Sequence, residues 1–298
     1  MSAFRLRGFF GVASALAMAT TVFIAGCSED SVKPPDEFAA PSNLAFENRE
    51  ASIRLTWSTS FDDGNFTEFA GYNIYRDTAS MVNLDGSELA TKKLNSAVLP
   101  PGTVNFTDTT PVLGDKYYYG VRAARDNGDL SVSSNEIDTA IFVQGEFSTI
   151  FEFMSPGESG FNAALGKVIS LVSTSADSID FYLGTDAEGD AGTGALQLES
   201  PSQVSDSPPW NSRVAGLKLL DTDASFLPPN TTFQESIALG TTVEQVEDKI
   251  IAIKLPPDLN GETHYAKIEI LTFNNDGAEQ RSIVFTYRYQ PIAAYARF

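Results

Sequence analysis

The sequence predicts an all-β protein of two successive domains, the second larger than the first. Three observations carry that expectation. Runs such as 52–57, 117–123 and 283–289 place apolar side chains at every second residue, the period of a half-buried strand. Turn-forming clusters punctuate the first half at strand-length intervals: DDGN at 62–65, LDGS at 84–87, PPG at 100–102 and DNGD at 126–129. Helical character is confined to TVEQVEDK at 242–249, which reads as a helical turn or an acidic loop. With 298 residues and 42% hydrophobic content, the chain is long enough for two domains with cores of their own.

The first 26 residues stand apart. Arg5 and Arg7 precede an apolar run with no acidic residue, as in a secretory signal. A permanent membrane helix is the alternative, since residues 8–26 nearly span a bilayer. Ile24-Ala25-Gly26-Cys27 resembles the lipobox of bacterial lipoproteins. The resemblance implies cleavage between Gly26 and Cys27, lipidation of Cys27, and membrane association through that lipid. Ser28 after the cysteine implies the outer membrane, on either its periplasmic or its surface face.

Removing residues 1–26 takes two of the 20 basic residues and none of the 39 acidic ones, leaving a net charge of −21. Such a chain lacks the basic surface that phosphate contacts need, so nucleic acid is not an expected partner. Cys27 is the only cysteine, so no disulfide, thiol nucleophile or zinc–thiolate site is expected in the mature domains. Residues 27–40 read as the lipidated cysteine and a tether. The 28–40 stretch holds four acidic residues and a Pro-Pro pair, and spans about 45 Å when extended.

Residues 41–140 form the first domain. SIRLTW puts Ile53, Leu55 and Trp57 on one face, and YYYGVRA does the same for Tyr117, Tyr119, Val121 and Ala123. The order IRLTW, FAGYNIYRD, NFTDTTPVLGDKYYYGVRAARDNGDLSVSSNEI is similar to a fibronectin type III domain. The likeness implies a β-sandwich in which Trp57, Tyr72, Tyr117 and Val121 are core residues. Trp57 takes the place of the buried second-strand tryptophan and Tyr117 that of the tyrosine corner.

Residues 145–298 form a second, mostly antiparallel β domain. KVISLVS, SIDFYLG, KIIAIKL, YAKIEILTF and RSIVFTYRYQP are strand-like, and Asp276-Gly277 marks a hairpin between the last two. Long loops are expected over the Gly-, Ser-, Asp- and Pro-rich region 184–212. The stretch from GKVISLVSTSADSIDFYLGTD to IVFTYRYQ resembles HmuY-like lipoproteins, a largely β group that includes haem binders. Haem-binding members use paired histidines, whereas this chain has only His264; Met154 or a tyrosine would have to serve as a second axial ligand.

Few residues suggest chemistry. His264 begins a strand on the side assigned to the core, and reads as a structural residue or a weak ligand. Asp186, Glu188 and Asp190 alternate as calcium ligands do, yet Ala191 and Gln197 stand where an EF-hand needs glycine and glutamate. A solvated loop is the alternative. No G-x-S-x-G, P-loop or GxGxxG pattern occurs, and Asn65, Asn105 and Asn230 match the glycosylation triplet without meaning in a bacterium. The function expected is that of a non-enzymatic, lipid-anchored envelope protein whose sandwiches engage a protein, a glycan or a small molecule. Its alternatives are haem or hydrophobic-ligand binding and an accessory role in an extracellular carbohydrate-active system. No cofactor is required, with haem and calcium as the two to test.

Overall fold

The computed structural model describes residues 38–49, 51–187, 192–205, 207–275 and 280–298. Cys27, Gly26, Glu188, Asp190 and the hairpin turn at Asp276-Gly277 lie outside them. Phe38–Phe298 is one compact unit.

Its first part has β1 (Ser42–Arg49), β2 (Ser52–Ser58), β3 (Phe69–Asp77), a short helix α1 (Gly86–Ala90), β4 (Asn105–Asp108), β5 (Tyr117–Arg125) and β6 (Ile137–Thr139). They form two three-stranded antiparallel sheets, ordered β1-β2-β4 and β3-β5-β6, the layering of a fibronectin type III sandwich. Alternation drives the packing: Ile53, Leu55 and Trp57 of β2 pack with Tyr72, Ile74, Tyr119 and Val121 in one buried core. Trp57 and Tyr72 meet edge to face at 5.7 Å. The Tyr117 hydroxyl accepts the Val112 N–H at 3.1 Å and donates to Asp115 at 3.2 Å, tying the turn before β5 to the strand. LDGS differs from the turn expected of it. The Asp85 carboxylate caps the N–H groups of Ser87 and Glu88, while the Glu88 side chain returns to the Asp85 N–H, so the segment starts α1.

The second part runs β7 (Val143–Phe151), β8 (Gly160–Asn162), β9 (Lys167–Ile169), β10 (Phe181–Thr185), β11 (Leu196–Glu199), β12 (Gly216–Leu220), β13 (Ser236–Gly240), α2 (Val243–Val246), β14 (Ile250–Lys254), β15 (Tyr265–Asn275) and β16 (Arg281–Gln290). Two five-stranded sheets result, β13-β11-β10-β8-β9 and β12-β14-β15-β16-β7, antiparallel throughout. Phe161, Phe181 and Phe285 form the centre between them, with ring centroids 5.0–5.9 Å apart. The protein is thus all-β, with two successive sandwiches.

The first strand of the second part, β7, pairs Val143 with Tyr289. The 184–212 region is not all loop: Leu196 and Leu198 are buried and carry β11 into the sheet. Trp210 is also buried, against Ala176 and Ile179. The connection between sandwiches is itself buried, with Ile141 packing into the first core and Phe142 into a cluster with Leu227, Ala252 and Phe298. Arg297, near the end of the chain, pairs with Asp138 at 2.9 Å. Among the described residues no helix is long and apolar enough to cross a membrane.

Candidate functional site

A cavity of about 380 Å³ opens at the edge of the second sandwich, with Asp180, Arg213, His264 and Tyr289 converging on it. Each comes from a different part of the chain. Asp180 immediately precedes β10, at the end of a connection held by the turn Ser173–Ser178. Arg213 follows the turn Trp210–Ser212, which the buried Trp210 ring fixes. His264 precedes β15 and Tyr289 lies on β16, and the register pairing Ala266 with Tyr289 sets their rings 5.9 Å apart.

Asp180 is the buried acid of the group. It accepts the Ala163 N–H at 2.8 Å and an Arg213 guanidinium N–H at 3.3 Å. Burial pushes its carboxyl up to about 6, against the opposing pull of that amide, Arg213 and His264. Arg213 is oriented by two further acceptors, the carbonyls of Ile179 at 3.0 Å and Pro257 at 3.3 Å, while its Nε finds no partner. The Tyr289 hydroxyl is pushed up by burial and by the charges of Asp180 and Asp258. The ensemble offers a carboxyl poised near neutrality, a guanidinium, an imidazole and a ring face. Such groups suit a small polar ligand whose hydroxyls both donate and accept hydrogen bonds.

His264 therefore stands in a different place from the core face expected of it. Ala266 and Ile268 point into the sandwich, but the strand begins after His264 and its ring lies at the cavity wall. Its Nδ1 is shut away from solvent without a hydrogen-bond partner. Met154, considered as a second haem ligand, is 61% exposed in the turn after β7.

Asp186 takes a structural part: it accepts the Ala195 N–H at 2.7 Å. Residues 192–194 are held by the buried Glu152–Arg281 pair. Arg281 donates to the carbonyls of Thr193 and Gly194, and Glu152 accepts the Gly192 N–H. Glu188 and Asp190 lie outside the described residues. Trp57, Tyr72, Tyr117 and Val121 are all buried in the first sandwich, away from the cavity.

Asp180 and Arg213 were not singled out in the sequence. Asp180 sits at a polar position of an alternating run and looks like any strand acid. One signal was available for Arg213, the lone basic residue between Lys167 and Lys218 in an acidic stretch.

No known family profile matches the chain. It is similar to Exoglucanase B of Cellulomonas fimi, 27% identical over 225 residues, which cover 73% of this chain and 18% of that protein. The chain thus spans less than a fifth of that relative's length. Among solved structures, a Fn3-like protein from Clostridium thermocellum aligns with 34% of this chain and 90% of its own, at 24% identity and a TM-score of 0.26. Pectate lyase PelI from Erwinia chrysanthemi aligns over 33% of this chain and 27% of its own, at 25% identity and a TM-score of 0.25. A two-domain fibronectin type III segment of chicken tenascin aligns with 82% of this chain and 98% of its own, at 13% identity and a TM-score of 0.26.

Proposed function

We propose that this protein is a non-catalytic, lipid-anchored binding component of an extracellular polysaccharide-handling system. In this view the second sandwich holds a saccharide-sized ligand in the Asp180–Arg213–His264 cavity. The first sandwich and the 27–40 tether carry that site away from an outer membrane to which Cys27 is attached. The observation that carries the proposal is the convergence of a buried acid, an oriented guanidinium and an aromatic ring around about 380 Å³. A sugar ring presents neighbouring hydroxyls that match an Asp–Arg pair, and an apolar face that matches a tyrosine ring. The similarity to an exoglucanase supports the polysaccharide setting. Calorimetric titration of the mature, untagged protein with β-glucan and pectin oligosaccharides tests this. One of them should bind, and Arg213→Ala should abolish the binding without unfolding the second sandwich. If neither class binds, the proposed ligand is wrong.

Haem is the second reading, favoured by the position of His264, the one histidine of the sequence, at the cavity wall. Hemin titration checks it: a Soret shift lost in His264→Ala supports haem, and an unshifted spectrum removes it.

A further inference from the structure

The rim of the cavity carries a second chemistry. The loop between β14 and β15 turns tightly at Gly261, whose φ of +78° favours glycine, and brings Asp258, Glu262 and His264 together. One ligand atom from each lies within 4.8 Å of the others. The three sit in a D-x3-E-x-H spacing within seven residues, so no long-range adjustment is needed to assemble them.

We propose that Asp258, Glu262 and His264 form a divalent transition-metal site of the zinc class, with a coordination position left open toward the cavity. The donor set supports this choice. A nitrogen with two carboxylates suits zinc and its neighbours, whereas calcium and magnesium prefer all-oxygen shells. The atoms are available in the right way. Asp258 Oδ1 is engaged by the N–H groups of Asn260 and Glu262, both at 2.8 Å, which fixes the carboxylate, while Oδ2 holds only a long contact from the Asn260 side-chain amide at 3.4 Å that a metal would displace. That Oδ2 is 3.8 Å from His264 Nε2, and two zinc bonds of about 2.0–2.1 Å at a tetrahedral angle span about 3.4 Å, so a shift of a few tenths of an ångström brings both onto one cation. Nδ1 on the other side of the ring is sealed off, so Nε2 is the nitrogen that faces incoming metal. The Glu262 side chain is exposed and closes on the cation at little cost, and the loop's exposure gives the ion a path in. Asp258 and His264 line the same cavity as Asp180 and Arg213, so a metal here would meet a ligand in the cavity at its open position.

The site does not depend on the saccharide proposal, and its test uses zinc alone. Metal-free, untagged full-length mature protein is titrated with zinc by calorimetry, with calcium and magnesium as separate arms. Because His264 is the only histidine, its imidazole nitrogens give one pair of NMR signals to follow. The expected result is one zinc per chain, a shift of the Nε2 resonance, and no response to calcium or magnesium. His264→Gln and, separately, the exposed Glu262→Gln should each weaken zinc by about ten-fold or more, with the melting temperature of the metal-free protein unchanged. Absence of stoichiometric zinc binding would overturn the proposal. So would binding that leaves the imidazole signals in place or survives both substitutions at full affinity.

Discussion

Replacing Asp180 with asparagine isolates the energetic cost built into the cavity. The Asp180 carboxyl titrates at about 6 in the folded protein against an ordinary 3.8, because burial disfavours its charged form. Folding therefore takes up a proton between these values. The contribution of this group to stability is complete below about pH 4 and is lost as pH rises through about 6. A shift of roughly two units corresponds to about 3 kcal/mol, the cost of holding Asp180 ionised at neutral pH. Asparagine keeps an oxygen for the Ala163 N–H but carries no charge, so Asp180→Asn has no such term. The assay is urea unfolding of both proteins at pH 4 and at pH 7.5. Any effect of the substitution that does not depend on pH cancels between the two conditions. The stability of the variant relative to the parent should rise by about 2.5 kcal/mol from the lower to the higher pH, since the unfolded carboxyl is already partly ionised at pH 4. A difference that stays the same within about 1 kcal/mol would refute the buried-acid reasoning.

The remaining expectations concern the fold and the anchor. Glu152→Ala leaves the buried Arg281 guanidinium without its carboxylate and frees the loop at 192–194, and should cost about 3–5 kcal/mol in denaturant unfolding. A loss below about 1 kcal/mol would show that the pair is dispensable. Gly71→Ala puts a Cβ 1.7 Å from the Leu99 carbonyl oxygen at a φ of +136°, so the first sandwich should lose about 1–3 kcal/mol or more, read as a lower melting temperature. Unchanged melting would mean that the backbone at Gly71, where the β3–β5 register shifts, relaxes freely. Cys27→Ser should release the protein from the membrane fraction or stall it at precursor size, and a mature-sized, membrane-bound variant would contradict lipidation.

The sandwiches were legible because alternation is a local signal. Ile53, Leu55 and Trp57, or Tyr119, Val121 and Ala123, announce their buried face within one strand, and the structure buries each of them. LDGS shows the limit of reading turn residues alone. Asp and Gly mark both a turn and a helix start, and only the return bond from Glu88 decides between them. The 184–212 region hid β11 for another reason. Its apolar pair Leu196 and Leu198 is too short to outweigh the surrounding Gly and Ser, and gains strand character only by pairing with β10 and β13. The site was least legible of all. His264 attracted notice for being alone, but its strand phase suggested the core, when the strand in fact starts one residue later. Asp180 and Arg213 are 33 residues apart and meet only because Trp210 anchors the turn before Arg213. Nothing in their neighbouring residues encodes that meeting.

Since the protein has one histidine and that histidine lines the cavity, a two-dimensional NMR spectrum of the imidazole reports on the site without assignment of the rest. Titrating the mature, untagged protein with β-glucan or pectin oligosaccharides in the presence of chelator should move the His264 resonances saturably, along the same curve as calorimetric binding. Calorimetric binding with the His264 signals fixed would place the ligand elsewhere and contradict the cavity as the binding site.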